Sequence, residues 1–164
     1  MNKLESDILK ILQEDCRVSP AELAVMLARE ETEVSAAVAE MERRGVIVKY
    51  TAIVNNEALE DELVQALIEV KVSPQKSSGF DAIAEEIYRC EEVTSCYLMS
   101  GGFDLAVFIE GKTLREVAQF VSERLSTLDD VLSTATHFIL KKYKIEGTIT
   151  EKEDENRVRL SVQA

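Results

Sequence analysis

Apolar residues recur along this chain first with a helical period and then with an alternating one. Leu4, Ile8, Ile11 and Leu12 form a stripe at i, i+4, i+7 and i+8, which predicts a first helix. Ser19-Pro20-Ala21-Glu22 opens a second: Ser as N-cap, Pro at the first helical position and Glu completing a capping box. Leu23, Ala24 and Leu27 then face inward. Val34, Ala37, Val38 and Met41 mark a third helix, which ends before Gly45. Residues 46–54 (Val-Ile-Val-Lys-Tyr-Thr-Ala-Ile-Val) are too β-branched for a helix and suit a strand pair. Three short helices followed by a small hairpin predict a winged helix-turn-helix over 1–55, with the third helix as the candidate for the major groove. The plainer reading is a three-helix packing unit without a DNA role.

Polar residues 56–62 are expected as a linker. Beyond it, Ala66, Ile68, Val70 and Val72 alternate with Leu67, Glu69 and Lys71, predicting a strand. A helical stripe follows at Phe80, Ile83, Ala84 and Ile87, then a strand from Val93 to Met99 and a turn at Gly101-Gly102. Leu105, Val107 and Ile109 alternate again. Leu114, Val117, Ala118, Val121 and Leu125 form another helical stripe, and Thr134 to Tyr143 a last strand. The order β-α-β-β-α-β over 63–144 predicts a ferredoxin-like unit, giving an α+β chain. Helices then cover one sheet face only, and the other is covered most simply by a second copy. Residues 145–164 suggest an added hairpin, Thr148-Ile149-Thr150 against Val158–Val162 around the charged stretch 151–156, or else a solvated tail.

The chain has 164 residues, 46% of them hydrophobic, enough for packed cores. No apolar run approaches the roughly 20 residues that cross a bilayer. The N-terminus shows no secretory pattern, so a cytoplasmic protein with no membrane association is expected. Cys16, Cys90 and Cys96 form no CxxC pair, and His137 is the single histidine, so no metal, cofactor or catalytic set is expected. The net charge is −12, from 19 basic and 31 acidic residues, which repels anionic polymers. Binding to DNA therefore requires a local basic surface.

Several strings, in order, resemble the Lrp/AsnC (feast/famine) family of prokaryotic transcription regulators. They are Asp7-Ile8-Leu9 through Leu12, Arg17, Ser19 and Glu22-Leu23-Ala24; Met41-Glu42-Arg43-Arg44-Gly45-Val46-Ile47 with Tyr50-Thr51-Ala52; Gly101-Gly102-Phe103-Asp104-Leu105; and Thr134-Ala135-Thr136 with Leu140. The resemblance covers about residues 4–144. It implies a DNA-binding regulator that senses an amino acid or similar metabolite at subunit contacts, as a homodimer building a higher even oligomer such as an octamer. It departs at the third helix, where the family's usual Ser and Arg are replaced by Glu30 and Ala37. From Glu30 to Arg44 there are five acidic residues (Glu30, Glu31, Glu33, Glu40, Glu42) against Arg43 and Arg44.

Helical geometry softens that objection. With Val34, Val38 and Met41 inward, Thr32, Ala36, Ala39 and Arg43 point outward and the glutamates lie on the flanks. Small residues approach base edges, and alanine can touch a thymine methyl. The expected DNA-binding set for double-stranded DNA is thus Ser19, Thr32, Ser35, Ala36, Ala39, Arg43, Arg44 and Lys49, with the two arginines and Lys49 on phosphates. Binding by one dimer is expected to be weak and strengthened by assembly. The expected effector set is Met99, Ser100, Gly101, Gly102, Phe103, Asp104, Thr134 and Thr136. Positive φ at the glycines would bare N–H groups for a carboxylate, and Asp104 would receive an ammonium. The alternative is an ordinary hairpin turn in which Asp104 bonds to its own backbone. His137 is either a strand-surface residue or a pH or ligand sensor. Two other functions compete: a partner-binding or ligand-sensing module with weak or lost DNA affinity, and, more distantly, an enzyme like the siroheme decarboxylases. A single histidine and the acidic balance disfavour the enzyme.

Overall fold

The computed structural model describes residues 1–56, 59, 63–73 and 79–150. It divides into two compact units, Met1–Ile53 and Val54–Ala164.

In the first unit, α1 (Lys3–Glu14) starts from an Asn2 cap. The Asn2 side chain accepts from the Glu5 amide at 2.8 Å and the Glu5 carboxylate accepts from the Asn2 amide at 2.9 Å. Helix α2 (Pro20–Leu27) starts from the Ser19–Glu22 capping box that the sequence predicts. Helix α3 (Glu31–Arg43) follows Glu30, which offers no side-chain cap. Gly45 lies just past its end at φ 69°, where a glycine costs least. The apolar stripes meet in a core of Ile8, Leu23, Ala24, Val34 and Met41.

The expected strand pair over 46–54 is absent: among the described residues this stretch forms no ladder. The amides of Val46 and Ile47 instead bond back to the Met41 carbonyl at 2.8 and 3.3 Å. The Cys16 thiol lies 3.7 Å from the Thr51 carbonyl. The physical reason is visible in the composition. Nothing in 46–54 is Gly, Pro, Asn or Asp, so the segment has no residue with which to reverse and pair with itself.

In the second unit β1 (Val64–Val72), α4 (Gly79–Tyr88), β2 (Val93–Leu98), β3 (Leu105–Gly111), α5 (Leu114–Phe120) and β4 (Val131–Phe138) follow in order. A π-helical turn, Val121–Leu125, extends α5. The strands form one antiparallel sheet in the order β2-β3-β1-β4. Ala66, Ile68 and Val70 stand opposite Ile109, Val107 and Leu105. All six are buried beneath Ile83, Ile87, Val117, Phe120 and Leu125. Their neighbours in register, Leu67–Phe108 and Glu69–Ala106, belong to the opposite face, which no helix covers among the described residues.

The final strand starts earlier than predicted and stops at Phe138, because its partner β1 begins at Val64 and the ladder runs out opposite Ala66. Leu140 then stands 94% exposed. Thr148–Ile149 (β6) is indeed a strand, but it pairs with Lys144–Ile145 (β5). Glu146 and Gly147 between them take φ 44° and 86°, both positive, as a two-residue hairpin loop requires. The predicted partner, Val158–Val162, and the stretch 151–156 lie outside the described residues.

Candidate functional site

Helix α3 sorts its residues by burial. Val34 and Met41 are buried, and Ser35, Ala37, Val38 and Glu40 are half-buried. Thr32, Ala36, Ala39 and Arg43 are exposed, falling on one line at four-, three- and four-residue steps. The middle of that line is two methyl groups, so the helix backbone can approach a flat or grooved partner closely.

Two of the five carboxylates between Glu30 and Arg44, Glu33 and Glu40, are paired with an arginine, and ion pairs elsewhere in the unit engage most of its other cations. Arg43 holds Glu40 with both ends of its guanidinium, Nε to Oε2 at 2.8 Å and Nη2 to Oε1 at 2.6 Å. This contact holds the Glu40 carboxyl below the ordinary carboxylate range. Arg29 lies 3.7 Å from Glu33. Arg17 grips Asp15 by its side chain and backbone, pulling that carboxyl down to about 2. Lys10 pairs with Asp7 at 3.6 Å. The Tyr50 hydroxyl donates to Glu42 at 2.9 Å, and burial together with this bond raises the phenol.

Besides Arg43, two members of the expected DNA-binding set are engaged within the unit. Arg44 bonds through Nη2 to Glu5 at 2.8 Å, and the Glu5 side chain is only 8% exposed. The Asn2 amide and Arg44 together hold the Glu5 carboxyl low. Arg44 thus ties the end of α3 to the start of α1 instead of reaching for a phosphate. The Ser19 hydroxyl is committed to Glu22 at 2.7 Å, although the exposed start of α2 still presents backbone. Among the described residues of this unit, Lys49 and Lys3 are the cations that enter no ion pair, and both are exposed. Lys3 and the Glu40–Arg43 pair were missed by the sequence reading. The pair's i, i+3 spacing was the available signal. Also unforeseen are Val25 and Met26 on α2, 82% and 62% exposed.

In the second unit, Met99, Ser100, Gly101, Gly102, Phe103 and Asp104 lie together in the β2–β3 connection, closed by the Met99 amide on the Asp104 carbonyl at 2.8 Å. The expected positive φ is not found at Gly101 or Gly102. A Cβ at either would meet nothing within 4 Å, so neither glycine is required by the chain's own packing. Asp104 bonds the backbone of the neighbouring strand β1, rather than its own as the alternative reading has it. Its amide donates to the Val70 carbonyl at 3.0 Å, and its carboxylate accepts from the Val72 amide at 2.9 Å. That bond sits at the register shift between Lys71 and Val72, where the ladder to β4 is interrupted. One carboxylate oxygen thereby serves the fold.

Thr134 and Thr136 stand opposite Val70 and Ile68 on β4. They lie at the same end of the sheet as the turn, but β1 intervenes, placing β3 and β4 about 10 Å apart. The two halves of the expected effector set therefore do not close on one small ligand within a single chain. On the open face His137 lies opposite Leu67, its Nε2 3.3 Å from a Glu69 oxygen. Tyr97 packs edge-on against Phe108 at 6.0 Å. Tyr97, Leu98, Met99, Leu132 and Phe138 are large apolar residues left exposed on or beside the edge strands β2 and β4. Among the described residues no helix is long and apolar enough to cross a membrane.

Comparison with known proteins fits this geometry. Residues 1–48 match the model for winged helix-turn-helix DNA-binding domains, and residues 65–149 the model for the Lrp/AsnC ligand binding domain. The chain is 44% identical over 158 residues to the uncharacterized HTH-type transcriptional regulator YugG of Bacillus subtilis, covering 96% of this chain and 95% of that one. It is 26% identical to the leucine-responsive regulatory protein of Klebsiella pneumoniae over 152 residues, 93% of this chain and 92% of that one. The crystal structure of the leucine response regulatory protein of Mycobacterium tuberculosis superposes with a TM-score of 0.76 at 23% identity, covering 92% of this chain and 100% of that one. A transcriptional regulator from Neisseria meningitidis in complex with L-Met gives 0.70 at 24% identity, over 88% and 93%. With matches to both domain models and relatives of this extent, the chain belongs to the Lrp/AsnC family and is a DNA-binding transcriptional regulator with a small-ligand-binding domain.

Proposed function

We propose that this protein works in the cytoplasm as a homodimer, assembling further into an even oligomer, that reads double-stranded DNA with α3 and senses an amino acid at its β2–β3 turn. The observation that carries the DNA side is the exposed line Thr32–Ala36–Ala39–Arg43, whose flanking Glu33 and Glu40 are each neutralised by an arginine. Two alanines placed against the groove floor favour apolar contact with thymine methyls. Phosphate contacts come from Arg43, Lys49, Lys3 and the start of α2. Arg44 supports them by fixing the end of the helix.

On the sensing side, support comes from two glycines whose lack of a side chain answers no need of the isolated chain. A ligand or second copy pressed against the turn supplies that need. The uncovered sheet face and exposed Tyr97, Leu98 and Met99 supply apolar surface for assembly. The partner's β4 then completes the ligand site that β1 keeps apart within one chain. The L-Met held by the Neisseria relative favours an amino acid as the ligand class. A ligand seated between copies changes their association, and linkage carries that change to DNA affinity.

A gel shift on the region upstream of the protein's own gene tests this, run at low salt with each amino acid in turn and paired with light scattering. Expected are a retarded band, an even oligomer, and one or a few amino acids that change both. A chain that stays monomeric and leaves the duplex unshifted under every condition overturns the proposal.

A further inference from the structure

Arg43 and Arg44 are neighbours in sequence, yet only one is available to DNA, and a single carboxylate stands between them. Glu40 accepts the two-pronged grip of Arg43, the same geometry in which a guanidinium holds a phosphate. Its Oε1 is also 3.7 Å from the Arg44 Nε. Arg44 cannot follow Arg43 outward, because it is anchored on Glu5 at 2.8 Å. Arg43 can: its side chain is 72% exposed and it ends the outward line of α3.

We propose that Glu40 is a built-in competitor of DNA, occupying the Arg43 guanidinium in the free protein and yielding it to a backbone phosphate on binding, while Arg44 remains as its counter-ion. This rests on the reading of α3 as the DNA-facing helix. The exchange is inexpensive, since an exposed i, i+3 ion pair is weak. It is also nearly charge-neutral, because the Arg43–Glu40 pair carries no net charge to the duplex. Arg43 then contributes little counterion release, and the remaining carboxylate faces the phosphates from the helix flank. The arrangement holds single-unit affinity down and leaves the regulator dependent on assembly.

The test is fluorescence anisotropy with a labelled mixed-sequence duplex, titrated at several salt concentrations. The proteins are the full chain as wild type, Glu40→Gln, Arg43→Gln and the double variant, each checked for folding by circular dichroism and thermal melting. Glu40→Gln is expected to bind about threefold more tightly per winged unit at low salt, taking a carboxylate and a phosphate roughly 6 Å apart in water. Its log K against log salt should steepen by up to about 0.9 per unit. Arg43→Gln should weaken Glu40→Gln much more than it weakens wild type. Equal affinity and slope for wild type and Glu40→Gln overturn the inference, as does an equal loss from Arg43→Gln in both backgrounds, even where wild type binds DNA. Failure of both wild type and Glu40→Gln to bind at low salt overturns the underlying reading of α3 as well. Should Glu40→Gln misfold, Glu40→Ala removes the same charge and serves in its place.

Discussion

Replacing Gly102 with alanine separates two reasons for which a glycine can be present. One is backbone conformation: a positive φ penalises any side chain. The other is close approach, where a Cβ would collide with a neighbour. Within this chain neither applies, since φ at Gly102 is not positive and an added Cβ meets nothing within 4 Å. A Gly→Ala change at a compatible conformation stabilises by about 0.4–1 kcal/mol, through the lost freedom of the unfolded chain. The variant should therefore melt at the wild-type temperature or a few degrees higher in the absence of ligand. If the turn's N–H groups hold a carboxylate, the methyl must share that space. Loss of one hydrogen bond to a charged group costs about 1.5–3 kcal/mol, or tenfold and more in Kd. Thermal melting and titration calorimetry with the amino acid found to bind wild type give both numbers on one protein. Light scattering reports whether assembly changes too. A variant that melts well below wild type refutes the packing argument. A variant that binds and assembles like wild type refutes the claim that anything presses on this turn.

Three further outcomes follow from the same structure. Met41→Ala removes a fully buried side chain and should cost about 2–5 kcal/mol in denaturant melts of the winged unit. Asp104→Ala strips the acceptor from the Val72 amide and should lower the melting temperature of the sheet unit, at a cost of about 1–3 kcal/mol, even without ligand. Unchanged melting would show that the carboxylate is not a clasp. The winged unit should weaken in acid: Asp15, Glu5, Glu22 and Glu40 all have folded-state values below their ordinary 3.8 or 4.5. Their contribution is complete above those ordinary values and is lost as pH falls toward about 2, where Asp15 titrates in the folded protein. Melting curves across that range should shift down, and less so for Arg17→Gln, which removes the partner of Asp15.

What the sequence disclosed depended on how local the cause was. The helices α1 to α3 and the strand β1 follow from period and capping, and both are properties of a few neighbouring residues. The ends of β4 were misjudged because a strand stops where its partner stops, and the start of β1 is more than seventy residues away in sequence from the end of β4. Residues 46–54 have the composition of strands but nothing to pair with, and composition does not register a missing partner. The Glu146-Gly147 turn was legible as a glycine beside short β-branched runs, but Val158–Val162 offered a longer apolar partner. For the site, a helical wheel gives the direction of each Cβ on α3 and so finds the outward line. It does not give where a long side chain ends. Arg44 points its guanidinium back to Glu5, 39 positions earlier, which depends on a tertiary neighbour; Arg43 folds onto Glu40 one turn before it, a local contact that the i, i+3 spacing permits.

Whether the small-residue line of α3 lies against DNA is decided by Ala36→Glu. Ala36 is exposed, with glutamate a good helix former, so the fold and melting temperature should stay within about 0.5 kcal/mol of wild type. A carboxylate there sits in the middle of the line. Anisotropy with the upstream duplex at low salt should show binding reduced at least tenfold, with ligand binding by the sheet unit intact. Wild-type affinity in a correctly folded Ala36→Glu protein would show that α3 does not face the duplex along this line.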